Sequence, residues 1–253
     1  MIKSKKLSKF KSIEHAFFNR LGGKSKGIFK SLNCGLSSSD NKKNILDNLE
    51  TVSNKINAKS RKIILLNQVH GNKFYYIDKN SRLGKKKFNG DALITTMRKL
   101  PIAVLTADCA PILIHDEDKK IVAAIHAGWK GAYKDIVKKV VKFMIKKGSS
   151  PKNITAAIGP CISSNNYEVK ENFIKKFIIK DKKNIKFFKK TNNKNFFNLN
   201  KYIYFQLKSL NINKIDIINK DTFNTKNNFF SARRSISRNE NDYGRNISII
   251  MIN

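Results

Sequence analysis

Three segments far apart in this chain each place a good metal ligand where an apolar run ends or begins. Asn67 to Gly71 (NQVHG) carries His70, Ala107 to Pro111 (ADCAP) carries Cys109, and Ile125 to Gly131 (IHAGWKG) carries His126. Two imidazoles and a thiolate make a three-ligand set. Catalytic zinc keeps three protein ligands and an open fourth position, whereas structural zinc is usually closed by four. No two of the three residues share a helix turn or a zinc knuckle, so a fold that uses them must bring three strand ends to one cleft. Taken singly, a histidine at such a place is more often a hydrogen-bonded structural residue. Cys109 alone also reads as a buried apolar cysteine, or as a nucleophile with His70 or His126 as its base.

Short β-branched and apolar runs bounded by Gly, Asn, Asp or Pro predict strands over Lys62 to Val69, Phe74 to Asp78, Ala92 to Thr95, Ile102 to Ala107, Pro111 to His115 and Ile121 to Ile125. After Gly131 the spacing of Ala132, Ile136, Val140, Phe143 and Met144 predicts one amphipathic helix, stopped by Gly148 and Pro151. Ile154 to Ile158, Lys214 to Ile218 and Asn246 to Ile252 read as further strands, and Glu171 to Ile179 and Lys201 to Leu210 as helices. The Lys- and Asn-dense segment Lys180 to Asn195 reads as an exposed loop or a poorly ordered edge. Strands and helices mix without strict βαβ alternation, so the fold class is α+β, with mixed sheet layers and flanking helices. Neither a GxGxxG after a strand nor a Walker A pattern is present, which removes support for a nicotinamide or ATP site.

The 253 residues show no linker that argues for two domains, and 40% hydrophobic content can build a core. The longest apolar stretches are far shorter than a membrane span, and the basic N-terminus has no apolar core behind it, so a cytoplasmic protein with no membrane partner is expected. Three cysteines without a CxxC pair fit a reducing compartment. A net charge of +34 by itself suggests nucleic acid as partner. The lysines are spread along the whole chain among many Asn and Ile, however, which reads as A/T-rich codon drift at surface positions. Weak, non-specific adhesion to polyanions is therefore expected, and no specific nucleic-acid partner.

The same motifs carry a resemblance. NQVHG, DALIT at Asp91 to Thr95, TADCAPILI at Thr106 to Ile114, AAIHAGWKG at Ala123 to Gly131 and IGPCIS at Ile158 to Ser163 occur in the order of one family. The likeness runs from HAFFNRLGG at His15 through SLNCG at Ser31 to FFSARR at Phe229 and YGR at Tyr243, nearly the whole chain. The chain thus resembles the laccase-domain, multicopper polyphenol oxidase-like family, now regarded as zinc-containing purine nucleoside phosphorylases and related to peptidoglycan editing factors. The resemblance implies a fold like that of the cytotoxic necrotizing factor toxins, with zinc ahead of copper at His70, Cys109 and His126. It also implies phosphorolysis of adenosine and inosine, extending to methylthioadenosine, with adenosine deaminase as a side activity. A purine nucleoside and inorganic phosphate would be its ligands, and the oligomeric state stays open.

Candidate groups follow for each need of phosphorolysis. Gly128 to Gly131 opens a helix whose N–H groups can cradle an anion, with Lys130 adding charge where the family usually has Arg. The two glycines could equally serve tight packing. Arg20, Arg233 and Arg234 are further cationic candidates, and Gln68 and Asn33 could hydrogen-bond purine or ribose. Asp91 and Asp108 are the motif carboxylates, either acting as acid or base or orienting a ligand histidine. Asp221-Thr222-Phe223 stands where some relatives carry Cys-Thr-Tyr.

Counting tests the copper name. A multicopper oxidase needs a second, histidine-rich cluster, and this chain has four histidines in all, of which His15 lies far upstream and His115 reads as a surface or edge residue. The H-x-E and P-C-x-x-C signature of nucleobase deaminases is also absent. Two rivals stand beside the phosphorylase: a cysteine or zinc amidohydrolase acting on a peptidoglycan precursor, and, from another class, a basic nucleic-acid-binding protein.

Overall fold

The central strands of this chain are buried along their whole length, so both of their faces are covered. In the computed structural model, which describes residues 1–58, 62–81 and 88–253, a six-stranded mixed sheet has the order β11-β7-β5-β6-β3-β2. Its strands are β2 (Phe74–Ile77), β3 (Ala92–Thr95), β5 (Ala110–Asp116), β6 (Ile121–Ala127), β7 (Ile154–Ile158) and β11 (Lys214–Ile217). The pairs β2/β3 and β7/β11 are parallel and the others antiparallel. Alternate side chains split between two cores, as the pleat requires. Ile112, Ile114, Ala123 and Ile125 pack on α3 (Ile136–Lys146) and α5 (Leu199–Lys208), while Leu113, Val122 and Ala124 face the other way.

That second face packs on a three-stranded antiparallel sheet of β1 (Ile13–Phe17), β12 (Asn246–Ile252) and β4 (Ile102–Thr106), through Ile13, Phe17, Ile102, Val104, Ile250 and Ile252. The outer face of the small sheet, with Ala103, Ile247, Ile249 and Met251, is covered by α1 (Lys42–Lys55) through Val52. Four layers result, helix, sheet, sheet, helix, in the α+β class. Continuous apolar runs, rather than alternating ones, are what two buried faces demand.

Several elements differ from their expectations. Lys62 to Val69 forms isolated bridges at Ile64 and Asn67 instead of a strand. The Gln68 side chain exchanges two 2.7 Å hydrogen bonds with the Leu105 backbone, doing what a ladder would otherwise do. The helix expected from Ala132 onward is two helices, α2 (Trp129–Tyr133) and α3, separated by Asp135 at φ 61°. The segment Lys180 to Asn195 folds into a 3-10 turn (Lys182–Phe187), β9 (Phe188–Thr191) and the start of β10 (Lys194–Phe197). With β8 (Glu168–Val169) they make a small antiparallel sheet, anchored because Phe187 and Phe197 are buried among the aromatics of α4 (Glu171–Lys180) and α5. The periodicity missed α1, since only Ile45, Asn48, Val52 and Ser53 of its fourteen residues are buried. Its start is fixed by Asn41, whose side chain accepts from Lys43 and Asn44 N–H. A last short helix, α6 (Ala232–Ser237), is capped by Ser231.

His115 is not a surface residue. It lies inside β5, between β6 and β7, 1% exposed, with neither ring nitrogen hydrogen-bonded in the described structure. His15 is also buried, and its Nε2 accepts the Ser4 N–H at 2.9 Å, so it is held neutral. Burial, reinforced by Lys3, lowers its pKa from 6.5 to about 4. The unfolded histidine takes a proton near 6.5, but the native one refuses it until about 4. His15's contribution is therefore complete above that window, falls as pH drops through it and levels off below. Unfolding free energies at pH 7 and at about pH 4 should differ by a loss on the order of 3 kcal/mol from this residue. A His15→Gln variant with the same acid slope as the wild type would refute the assignment.

Candidate metal centre

The geometry that collects the three ligands comes from strand pairing. Pro111 pairs with His126 and Ala110 with Ala127, so Cys109, just before β5, sits beside His126 near the end of β6. On the other side of β6, Ala92 pairs with Ile125, which places Asp91 at the same edge. The Asp91 carboxylate accepts the backbone N–H of His70 at 2.9 Å and of Gly71 at 2.7 Å, fixing the loop that delivers His70. His70 itself has φ 56°, a left-handed conformation uncommon outside glycine. The ligand atoms of His70, Cys109 and His126 all lie within 4.8 Å of one another.

Asp91 also bonds His126 Nδ1 at 2.8 Å, leaving Nε2 for the cluster, as carboxylates behind metal-bound histidines do. Burial alone would raise the Asp91 pKa, but the hydrogen bonds from His126, Gly71 and His70 outweigh it and hold the carboxylate below its ordinary value. Burial likewise pushes the Cys109 thiol up, yet the His126 charge and hydrogen bonds from both histidines bring it down to about 7. The His126 imidazole is shifted up to about 9: burial opposes its charge, and Cys109 and Asp91 more than compensate.

Gly128 completes the arrangement. Its φ of −70° is open to any residue, so the requirement for glycine is spatial. A Cβ there would stand 2.8 Å from Cys109 Sγ and 3.0 Å from His70 Cδ2. The donor set, its carboxylate support and the space kept clear by Gly128 fit a metal ion. His15 and His115 do not join the cluster: His15 bonds Ser4, and His115 lies near the far end of β5 from Cys109.

The three residues line a cleft of about 200 Å³. Of the other candidates, Gln68 also lines it, with its amide committed to Leu105. Asn33 is fully buried; its amide donates to Ser38 and Asp40 and accepts from Gly35 and Arg245 N–H, so it shapes the loop behind the cleft. Asp108, at φ 85°, is tied by Thr222 (2.6 Å), Ser231 (3.0 Å) and Arg233 N–H (2.7 Å), and burial raises its pKa against those bonds. It pins the backbone next to Cys109. Arg233 bonds the Glu168 carbonyl and sits over Tyr167, outside the cleft lining. Lys130 lies over Trp129 in the five-residue helix α2, also outside it. Arg20 lines a different cleft. Asp221 accepts hydrogen bonds from Ser163 and Asn166, and Cys161 is buried against Asn200.

The same cleft is lined by residues that periodicity did not single out. Tyr243 and Arg245 line the cleft, the guanidinium 4.3 Å over the tyrosine ring and bonded to Asp242 at 2.9 Å. The YGR motif was the available signal. Leu36, Leu66 and Leu105 supply apolar surface.

The four-layer fold is shared with solved proteins. The hypothetical protein YfiH of Bacillus licheniformis superposes with a TM-score of 0.87 at 26% identity, covering 95% of this chain and 93% of that one. The protein NMB0706 of Neisseria meningitidis gives 0.84 at 26% identity over 96% of each chain. Among curated relatives, a purine nucleoside phosphorylase of Rickettsia conorii is 36% identical over 212 residues, 81% of this chain and 86% of its own length. One from Rickettsia prowazekii is 35% identical over 197 residues, 77% and 79% of the two chains. Residues 14–253 match the family described as multi-copper polyphenol oxidoreductase laccase, and the chain belongs to that family.

Proposed function

We propose that this chain is a purine nucleoside phosphorylase that uses a zinc ion held by His70, Cys109 and His126. Adenosine and inosine, and by extension methylthioadenosine, are the substrates of this reading. The observation that carries it is the cleft, lined by both the ligand cluster and Arg245, in a chain whose relatives over most of its length bear that activity in their names. In phosphorolysis a phosphate oxygen attacks the ribose C1′ while the bond to purine N9 breaks and its electrons leave with the base. Arg245 is the cation placed to hold phosphate, and the leucine-lined side suits the base. Bound zinc would supply positive charge for the electron density that collects on the departing purine. Asp91 keeps His126 in the tautomer that leaves Nε2 free. Cytoplasmic work fits three free cysteines, and no described helix is long and apolar enough to cross a membrane.

Purified protein should carry close to one zinc per chain by elemental analysis. Adenosine with inorganic phosphate should yield adenine and ribose 1-phosphate, and omission of phosphate should stop base release. Inosine among the products would reveal the deaminase side activity. Free ribose in equal amount with or without phosphate would count against phosphorolysis.

A second reading has its own support: the Asp91–His126–Cys109 line, with a thiol held near neutrality, has the make-up of a cysteine hydrolase. Amide-bond hydrolysis that ignores chelators and phosphate, and stops on alkylation of Cys109, would select it.

A further inference from the structure

A second cleft, of about 330 Å³, shares no lining residue with the first. Arg20, Lys30, Arg234 and Arg238 all line it. Among the described residues, no carboxylate forms an ion pair with any of the four. Glu240 couples to Arg20 and Arg234, and Asp108 and Asp221 to Arg234, all without an ion pair. Asp108 is already occupied by Thr222, Ser231 and Arg233. Four like charges with no directly paired carboxylate repel one another, and an anion among them would relieve that repulsion.

The two inner cations are also built in place. The Arg20 backbone donates to the Asn228 carbonyl at 2.8 Å and accepts from Ser31 and Leu32 N–H at 2.9 and 2.8 Å. Its guanidinium lies 4.7 Å over the Phe230 ring, with Nε bonded to the Lys30 carbonyl. Arg234 is 7% exposed and donates to the carbonyls of Thr222, Phe223 and Phe229, which orient it without neutralising it. Burial and the neighbouring arginines both press on the Arg20 charge, in keeping with the crowding. Lys30 and Arg238 are exposed at the rim. Phe229 and the half-exposed Leu21 give the cleft an apolar wall beside the charges.

A third cleft, of about 360 Å³, marks the contrast. It too is rich in lysines, but Lys138 and Lys180 are paired with Asp135 there. The absence of any direct ion pair among its four cations separates the Arg20 cleft from this one, where two of the four lining lysines are paired.

We propose that the Arg20/Lys30/Arg234/Arg238 cleft binds a phosphate dianion, either free or as the head of a small phosphate monoester, at a site separate from the His70/Cys109/His126 cleft. Arginine forks recognise phosphate oxygens in pairs, and the apolar wall is suited to the organic part of a monoester.

Calorimetric titration at physiological salt tests this, with inorganic phosphate and ribose 5-phosphate as probes and ribose as the uncharged control. Wild-type protein should bind at least one phosphate probe saturably and ribose not at all. The stronger probe tells free phosphate from a monoester. Lys30→Gln/Arg238→Gln, both at exposed positions, should weaken binding by about tenfold or more. Lys183→Gln/Lys186→Gln, at the third cleft, should leave it unchanged. The titration is repeated on Arg245→Gln, so that phosphate held at the first cleft, and hence failure of the proposed reaction, is read separately. Absence of saturable binding in the wild type would overturn the proposal. So would binding unaffected by Lys30→Gln/Arg238→Gln, equal weakening by the third-cleft pair, or loss only with Arg245→Gln.

Discussion

Gly128→Ala should strip the protein of its metal and of nucleoside turnover while leaving it folded. The added methyl would have to occupy space 2.8 Å from Cys109 Sγ and 3.0 Å from His70 Cδ2. No flexible side-chain end is there to yield: Cys109 is short, and the loop carrying His70 is pinned through two backbone bonds to Asp91. The ligands must therefore spread. Overpacking of this kind costs about 1–3 kcal/mol in stability, which a folded domain survives, but a displacement near 1 Å at a reacting centre costs roughly a hundredfold in rate. Metal content, thermal midpoint and kcat/KM measured on the same preparation separate the two effects. Full metal content and wild-type turnover in Gly128→Ala would show that the space at Gly128 is not what keeps the cluster open.

Asp91 carries the larger stability effect. One buried carboxylate satisfies His70 N–H, Gly71 N–H and His126 Nδ1, joining the loop after Gln68 to the edge of the large sheet. Asp91→Ala leaves two backbone donors and an imidazole without their partner in a closed site, and about 3–5 kcal/mol of stability should be lost. Asp91→Asn keeps the shape but turns an amide donor toward groups that also donate. It should remain folded with metal affinity lowered by about 10- to 100-fold, the usual effect of removing a carboxylate behind a ligating histidine. Denaturant titration of the alanine variant and metal competition on the asparagine variant check these outcomes. Unchanged stability in the first would mean that the loop is held by something other than Asp91.

The local sequence determined the elements whose residues repeat at a strand or helix period. It marked β3, β6, β7 and β12 and the helices α4 and α5, because β-branched runs and lysine-flanked apolar stripes express a preference that neighbouring residues set. It also marked His70, Cys109 and His126 as metal-binding types at strand ends. Tertiary structure decided the rest, since it depends on partners distant in the chain. Only the pairing of β5 with β6, and of β3 with β6, shows that Asp91 stands behind His126. Gln68 and Asn33, polar residues suited to a ligand, spend their amides on backbone groups of Leu105, Gly35 and Arg245, because buried peptide groups must be paired. His115 reads as a strand-edge residue until β7 arrives on its open side. Arg245 reaches the cleft wall from the far end of the chain, and Arg20 and Arg234, more than two hundred residues apart, meet in another. Periodicity records which way a side chain faces; where two such faces meet is fixed by packing across the whole chain.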